Sequence, residues 1–151
     1  MSGTPTFAVA PSFMGLPRFD RSAALAVAGI PLDIGVTNRT GARSGPAAVR
    51  AASRMLTDGD HPHFWIDPTR LDIADIGDFT IALGDLAESY RLIEEQAEDL
   101  NHLLAVGGEH GITLTLLRAL RRKVGAPLGL VHFDAHVDTW PDNFGQVYGP
   151  G

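Results

Sequence analysis

The 151-residue chain contains no cysteine, which excludes disulfides, thiolate metal sites and a cysteine nucleophile and leaves a reducing compartment permitted. Positive charge is scarce: 12 Lys and Arg stand against 18 Asp and Glu, a formal net charge of -6. That balance offers no basic footprint, so nucleic acid and anionic membrane surfaces are not expected partners. No apolar run approaches the ~20 residues that a bilayer-spanning helix needs. The first twenty residues also lack a basic stretch followed by an apolar core, so no targeting segment is expected and a cytoplasmic location is the inference. Internal repeats and low-complexity tracts are absent too. What is present is a hydrophobic content of 44%, enough for one globular domain with a sizeable core.

Short apolar runs alternate with helical patterns, the order expected of a mainly parallel sheet wrapped by helices, an α/β class. Residues 1–22, rich in Pro, Gly and Ser over the first twenty, read as an N-terminal arm, and residues 23–151 as the folded part. The run AALAVAGI, 23–30, ending in Gly29 and Pro31, fits a strand buried on both faces. Pro46, at a first helical position ahead of an alanine-rich stretch, predicts a helix to about Met55. A loop rich in Asp, His and Pro follows, then a strand near 71–76. Asp85 and Glu88 resemble a capping box, and Leu86, Tyr90, Ile93, Ala97 and Leu100 recur at helical spacing. Residues 103–106 form a strand candidate, 113–123 a helix with Arg121, Arg122 and Lys123 in its last turn and Gly125 closing it, and LGLVHF, 128–133, a further strand.

Chemistry concentrates where that last run ends, in HFDAHVDTW, 132–140. Extended backbone alternates faces, so Asp134, His136 and Asp138 are expected to project to one side. Two carboxylates and an imidazole that close repel or are costly to desolvate unless a cation lies between them, so the triplet asks for a metal. His132 alternates with Asp134 and is a candidate for orienting the ligands. A second segment, AVGGEHGIT, 105–113, places His110 between a strand and a helix, with Gly107 and Gly108 permitting a tight turn. Glu109 on its own reads as a first-turn carboxylate favoured by the helix dipole. Both segments are expected at the carboxyl edge of the sheet, where open parallel sheets bind ligands. His61, His63 and His102 lack ligand spacing to the cluster and read as solvated, and Trp65 reads as partly packed. Asn38 and Arg39 belong to a loop expected at the same carboxyl edge, where bordering a pocket, plain solvation and a contact between subunits are all open.

These motifs resemble those of the arginase and agmatinase family: GGEHGIT its GGDHS-type segment, FDAHVDT its DAHxD segment, and GIPLDIGVTNRTGARSGPAAVR, 29–50, its N-terminal signature. PSFMGLPRF, 11–19, is similar to the arm of agmatinase and guanidinobutyrase-like members. The resemblance implies a three-layer α/β/α fold and hydrolysis of a guanidino compound, agmatine first, to urea and an amine. It implies two manganese ions, with nickel or another divalent metal as alternatives: His110, Asp134 and Asp138 on one, His136 and Asp134 on the other, and Asp134 bridging. It also implies trimers or hexamers of the complete protein. Two further aspartate ligands, in an SxDxDxxDP-type segment, have no match here, and Pro150 stands where the family carries a YxHG-type histidine thought to aid proton transfer. The chain therefore matches an N-terminal half, expected to be incomplete and inactive alone. A non-catalytic remnant or interaction module of the same fold is the alternative. The implied topology does not pair the strand before DAHVD with the strand before GGEH, which predicts exposed edges and apolar faces.

Overall fold

The computed structural model describes residues 11–56 and 60–148. Three parallel strands, β1 (Leu25–Ile30), β2 (Ile73–Asp78) and β3 (His102–Gly107), form a sheet in the order β2-β1-β3. Central β1 is buried almost throughout, as its unbroken apolar run requires of a strand covered on both faces. Its two sets of alternating residues meet different helices. Ala26, Ala28 and Ile30 join Tyr90, Ile93 and Ile112, from α2 (Leu86–Glu98) and α3 (Ile112–Val124), in the main core. On the opposite face, Gly29 lies under Pro46 of α1 (Gly45–Ser53), leaving no room for a larger side chain there. The result is the expected three-layer α/β/α arrangement.

Local signals explain the helices. Asp85 accepts from the Glu88 N–H at 2.9 Å and caps α2, satisfying a donor that the first turn cannot. Gly125 closes α3 with φ +68° and donates its N–H to Arg121 O, a conformation glycine adopts without steric cost. Buried Arg50 of α1 grips Asp75 of β2 through Nε and Nη2 at 2.8 and 2.9 Å and donates from Nη2 to Gly77 O. Asp75 in turn accepts from the Phe13 N–H at 2.7 Å. The described part of the arm is thus not merely extended: it makes a 3-10 turn at Phe13–Gly15, and Leu16 is buried.

Two of these local expectations fail. Residues 128–133 form no strand and have no ladder partner among the described residues; Leu130, Val131 and Phe133 are exposed. An apolar run encodes burial, but a strand exists only where neighbours take its N–H and C=O groups. Trp65 is 78% exposed rather than partly packed, because it turns outward at a left-handed φ of 51° in the loop before β2. Gly107 and Gly108 make their turn without a positive φ. His61, His63 and His102 are exposed, as expected. Among the described residues no helix is long and apolar enough to cross a membrane.

Candidate metal centre

The connections after β1 and β3 leave toward opposite faces, α1 on one and α3 on the other, so a crevice opens beyond the carboxyl ends of these two strands. The Gly107–Gly108 turn fits down into it. A Cβ on Gly108 would lie 2.3 Å from Leu32 O and 2.4 Å from Ile30 O, so only glycine admits this approach. Glu109 then donates its N–H to Leu32 O at 2.8 Å, and its buried Oε2 accepts from the Gly35 N–H at 2.7 Å. The carboxylate read as a first-turn residue is therefore a buried tie between two loops. Its Oε1 has no hydrogen-bond partner among the described residues. Burial pushes this carboxyl above its usual range, and the charge of Asp33 adds to the shift against the opposing Gly35 N–H. Buried Asp33 shapes the loop after β1 by accepting from the N–H groups of Gly41 and Arg43 and from Arg43 Nε. The Arg43 guanidinium, helped by those N–H groups, holds Asp33 down to about 2. The signature residues Asp33 and Arg50 thus act as braces within the fold.

His110 stands on the turn that these contacts fix. The segment returning after α3 brings the DAHVD residues to it. His110 Nδ1 lies 2.8 Å from Asp138 Oδ2 and 3.6 Å from Asp134 Oδ2. His132 Nε2 lies 3.4 Å from the same Asp134 oxygen, and its ring meets that of His110 nearly edge-on at 5.1 Å. Ligand atoms of His110, His132, Asp134 and Asp138 all lie within 4.8 Å of one another. His136 stands apart, with its side chain 82% exposed and Nδ1 3.6 Å from the other Asp134 oxygen, Oδ1. The expected alternation fails because the backbone bends at 135–136 and Asp138 takes a left-handed φ of 52°, a conformation that Asp tolerates better than most residues. The His136 N–H, donated to Asp134 Oδ1 at 2.9 Å, is the main cause holding that carboxyl below its usual range, with the His132 and His110 imidazoles assisting.

This donor set fits a divalent ion. Two carboxylates supply compensating charge, two imidazoles add neutral donors, and Asp134 offers one oxygen to the His110 side and the other to His136. Of the residues named from the sequence, His110, Asp134 and Asp138 are brought together, and His132, read there as a candidate for orienting the ligands, stands with them; its i, i+2 relation to Asp134 in an extended segment was the available signal.

A cleft of about 710 Å³, lined by none of these cluster residues, opens between the loop after β1 and the last turn, with Ile34, Gly35, Thr37, Asn143, Phe144 and Gln146 among its walls. Asn143 Nδ2 donates to Thr37 Oγ1 at 2.8 Å, and the Tyr90 hydroxyl donates to Tyr148 O at 2.7 Å, fastening this turn to the body. Asn38 and Arg39 are exposed and do not line the cleft. Pro150 lies outside the described residues.

Comparison with known proteins gives a consistent result. The model of the arginase family matches residues 23–149. Guanidinopropionase from Pseudomonas aeruginosa is 44% identical over 148 residues, 94% of this chain and 46% of that protein. Agmatinase from Chromobacterium violaceum is 43% identical over 129 residues, 79% of this chain and 38% of that protein. Among solved structures, proclavaminate amidino hydrolase from Streptomyces clavuligerus superposes with a TM-score of 0.86 at 32% identity, covering 97% of this chain and 52% of that one. The chain spans about half the length of the relatives it matches.

Proposed function

Because the chain belongs to the arginase family, we propose that it supplies the N-terminal half of an amidinohydrolase that cleaves a guanidino compound, agmatine or a guanidino acid, to urea and an amine. One observation carries this: the two segments that match the family's motifs meet at the carboxyl edge of the sheet, with His110 Nδ1 2.8 Å from Asp138 Oδ2. In the complete protein His110, Asp134 and Asp138 would hold one manganese, and His136 with Asp134 would help hold a second; nickel or another divalent ion is the alternative. Bound metal lowers the pKa of water and so supplies a nucleophile for the guanidinium carbon. The chain's own residues do the positioning. Glu109 pins the His110 turn to the loop after β1 through Gly35, and Asp33 with Arg43 sets the course of that loop. The cleft beside the loop after β1 has the size of a small-molecule site, although none of the cluster residues lines it. Trimers or hexamers are the expected assembly of the complete protein.

The test supplies manganese, agmatine and 3-guanidinopropionate to the purified chain, alone and mixed with a polypeptide matching the remaining half of a relative, and measures urea. Urea is expected only from the mixture and is lost with Asp134→Asn. A metal-loaded mixture that releases none from either substrate would sink the hydrolase reading. Urea from the chain alone would show that the second half is dispensable.

A further inference from the structure

Independently of the hydrolase reading, we propose that Tyr90 is a positioning residue whose hydroxyl chooses between two acceptors, Tyr148 O and the Glu109 carboxylate, and so sets whether the turn at 141–148 closes the 710 Å³ cleft. Four wall residues, Asn143, Phe144, Gln146 and Tyr148, belong to that turn; the others, at 34–37 and 84–87, belong to the body. The backbone bonds between Asn143 and Gln146, and the Gly145 N–H donated to Asp142, lie within the turn and survive if it lifts as a unit. Ties to the body run through Thr37–Asn143 and through Tyr90. Tyr90 is 3% exposed, its ring meets that of Tyr148 edge-on at 5.3 Å, and its hydroxyl donates to Tyr148 O at 2.7 Å. A hydroxyl has one proton to give. The same oxygen overhangs the turn after β3: a Cβ on Gly111 would lie 1.8 Å from it, so glycine is what admits it. On that turn Glu109 keeps a buried Oε1 with no partner among the described residues, while Oε2 is held by the Gly35 N–H. Burial first, and the nearby Glu109 carboxylate next, push the Tyr90 hydroxyl above its ordinary range, so it stays a donor with a second taker in reach. With the turn docked, Tyr148 O is served and Glu109 Oε1 is orphaned. With the turn lifted, the hydroxyl swings to Glu109 and no buried donor is stranded. The two states exchange one acceptor for another, and the orphan, costly when buried, belongs to the closed one. Closure is therefore poised rather than locked.

The test uses the whole 151-residue chain, whose two tyrosines are Tyr90 and Tyr148. Ring carbon-13 tyrosine then gives one set of NMR signals for each, and Tyr90→Phe leaves those of Tyr148 alone while keeping the ring that packs on it. The ratio of released to docked turn is read from the Tyr148 signal and its relaxation dispersion. Tyr90→Phe should raise that ratio about fivefold, the worth of one ordinary hydrogen bond. Glu109→Gln should lower it, by about threefold or more. The amide oxygen still takes the Gly35 N–H, the amide NH₂ faces the hydroxyl oxygen, and Tyr148 O is the acceptor that remains. A Glu109 that is merely a structural tie gives the opposite sign. In the Tyr90→Phe background the effect of Glu109→Gln should vanish. Circular dichroism checks the fold of each variant, and Glu109→Asp, which draws the acceptor back by one methylene, replaces Glu109→Gln if the latter unfolds. An unchanged ratio in Tyr90→Phe, a ratio raised or unmoved by Glu109→Gln, or effects that simply add in the double variant would overturn the proposal, whatever the urea assay shows.

Discussion

Single residues around the crevice carry unequal burdens, and two of them can be weighed directly. Gly108 sits where a methyl group would overlap two backbone carbonyls, and backbone cannot swing aside as a side-chain tip can. Gly108→Ala should therefore cost on the order of 1–3 kcal/mol, read as a lowered denaturant midpoint; an unchanged midpoint would mean that the turn can lift off Leu32 freely. Asp33 offers a pH signature. Its folded-state value of about 2 lies below the ordinary carboxylate value of 3.8. It therefore adds stability that is fully present above about pH 4 and is lost as pH falls toward 2. Amide protection in residues 33–43 should decline across that window, and Asp33→Asn should remove the decline. A decline centred near neutral pH would point to a different group. The sequence exposed Asp33 only as part of a motif. What it could not convey is that Asp33 faces inward, since the partners are N–H groups and a guanidinium of its own loop, eight to ten residues on.

Secondary-structure elements were legible where the information is local. The cap at Asp85, the helical repeat from Leu86 to Ala97, and Gly125 after the basic last turn of α3 all depend on residues within a few positions of one another, and all formed. Residues 128–133 carry an equally apolar run and formed no strand, because pairing depends on a distant neighbour that a local pattern does not encode. The same limit applies to the ligand triplet. Alternation was a sound rule for His132 and Asp134 and failed beyond Ala135, where a bend and the left-handed Asp138 intervene. Long-range ties between elements can be tested by breaking one. Arg50→Ala would strand the Asp75 carboxylate, itself only 2% exposed, at a cost of about 3–5 kcal/mol. Arg50→Lys should recover only part of this, because an ammonium cannot form the paired bonds of the guanidinium. Thermal unfolding of both variants decides it, and a Lys variant as stable as the native chain would show that charge alone suffices there.

The molecule as a whole presents an exposed apolar surface among its described residues. Val131, Phe133, Val137, Trp140, Phe144 and Val147 are exposed along the segment that returns after α3, and the outer edge of β3 has no strand beside it among the described residues. Apolar area of this kind favours association. Sedimentation should show the isolated chain growing in mass with concentration, and the double change Val131→Lys and Phe133→Lys should suppress that growth; a strictly monomeric native chain at high concentration would refute it. The same returning segment carries His132, Asp134 and Asp138, while His110 belongs to the body, so an ion placed in this group would join two stretches of polypeptide that are fastened near the end by Thr37–Asn143 and Tyr90–Tyr148. Such a joint behaves as a cross-link. Closing a loop of this length removes roughly 3 kcal/mol of chain entropy from the unfolded ensemble on the simplest polymer account, and any cost of ordering the segment is deducted from the affinity for the ion. With a metal bound there, occupancy and conformation would be two readings of one equilibrium: the ion would act as a rivet, and the protein that holds it would be stiffer than the protein that waits for it.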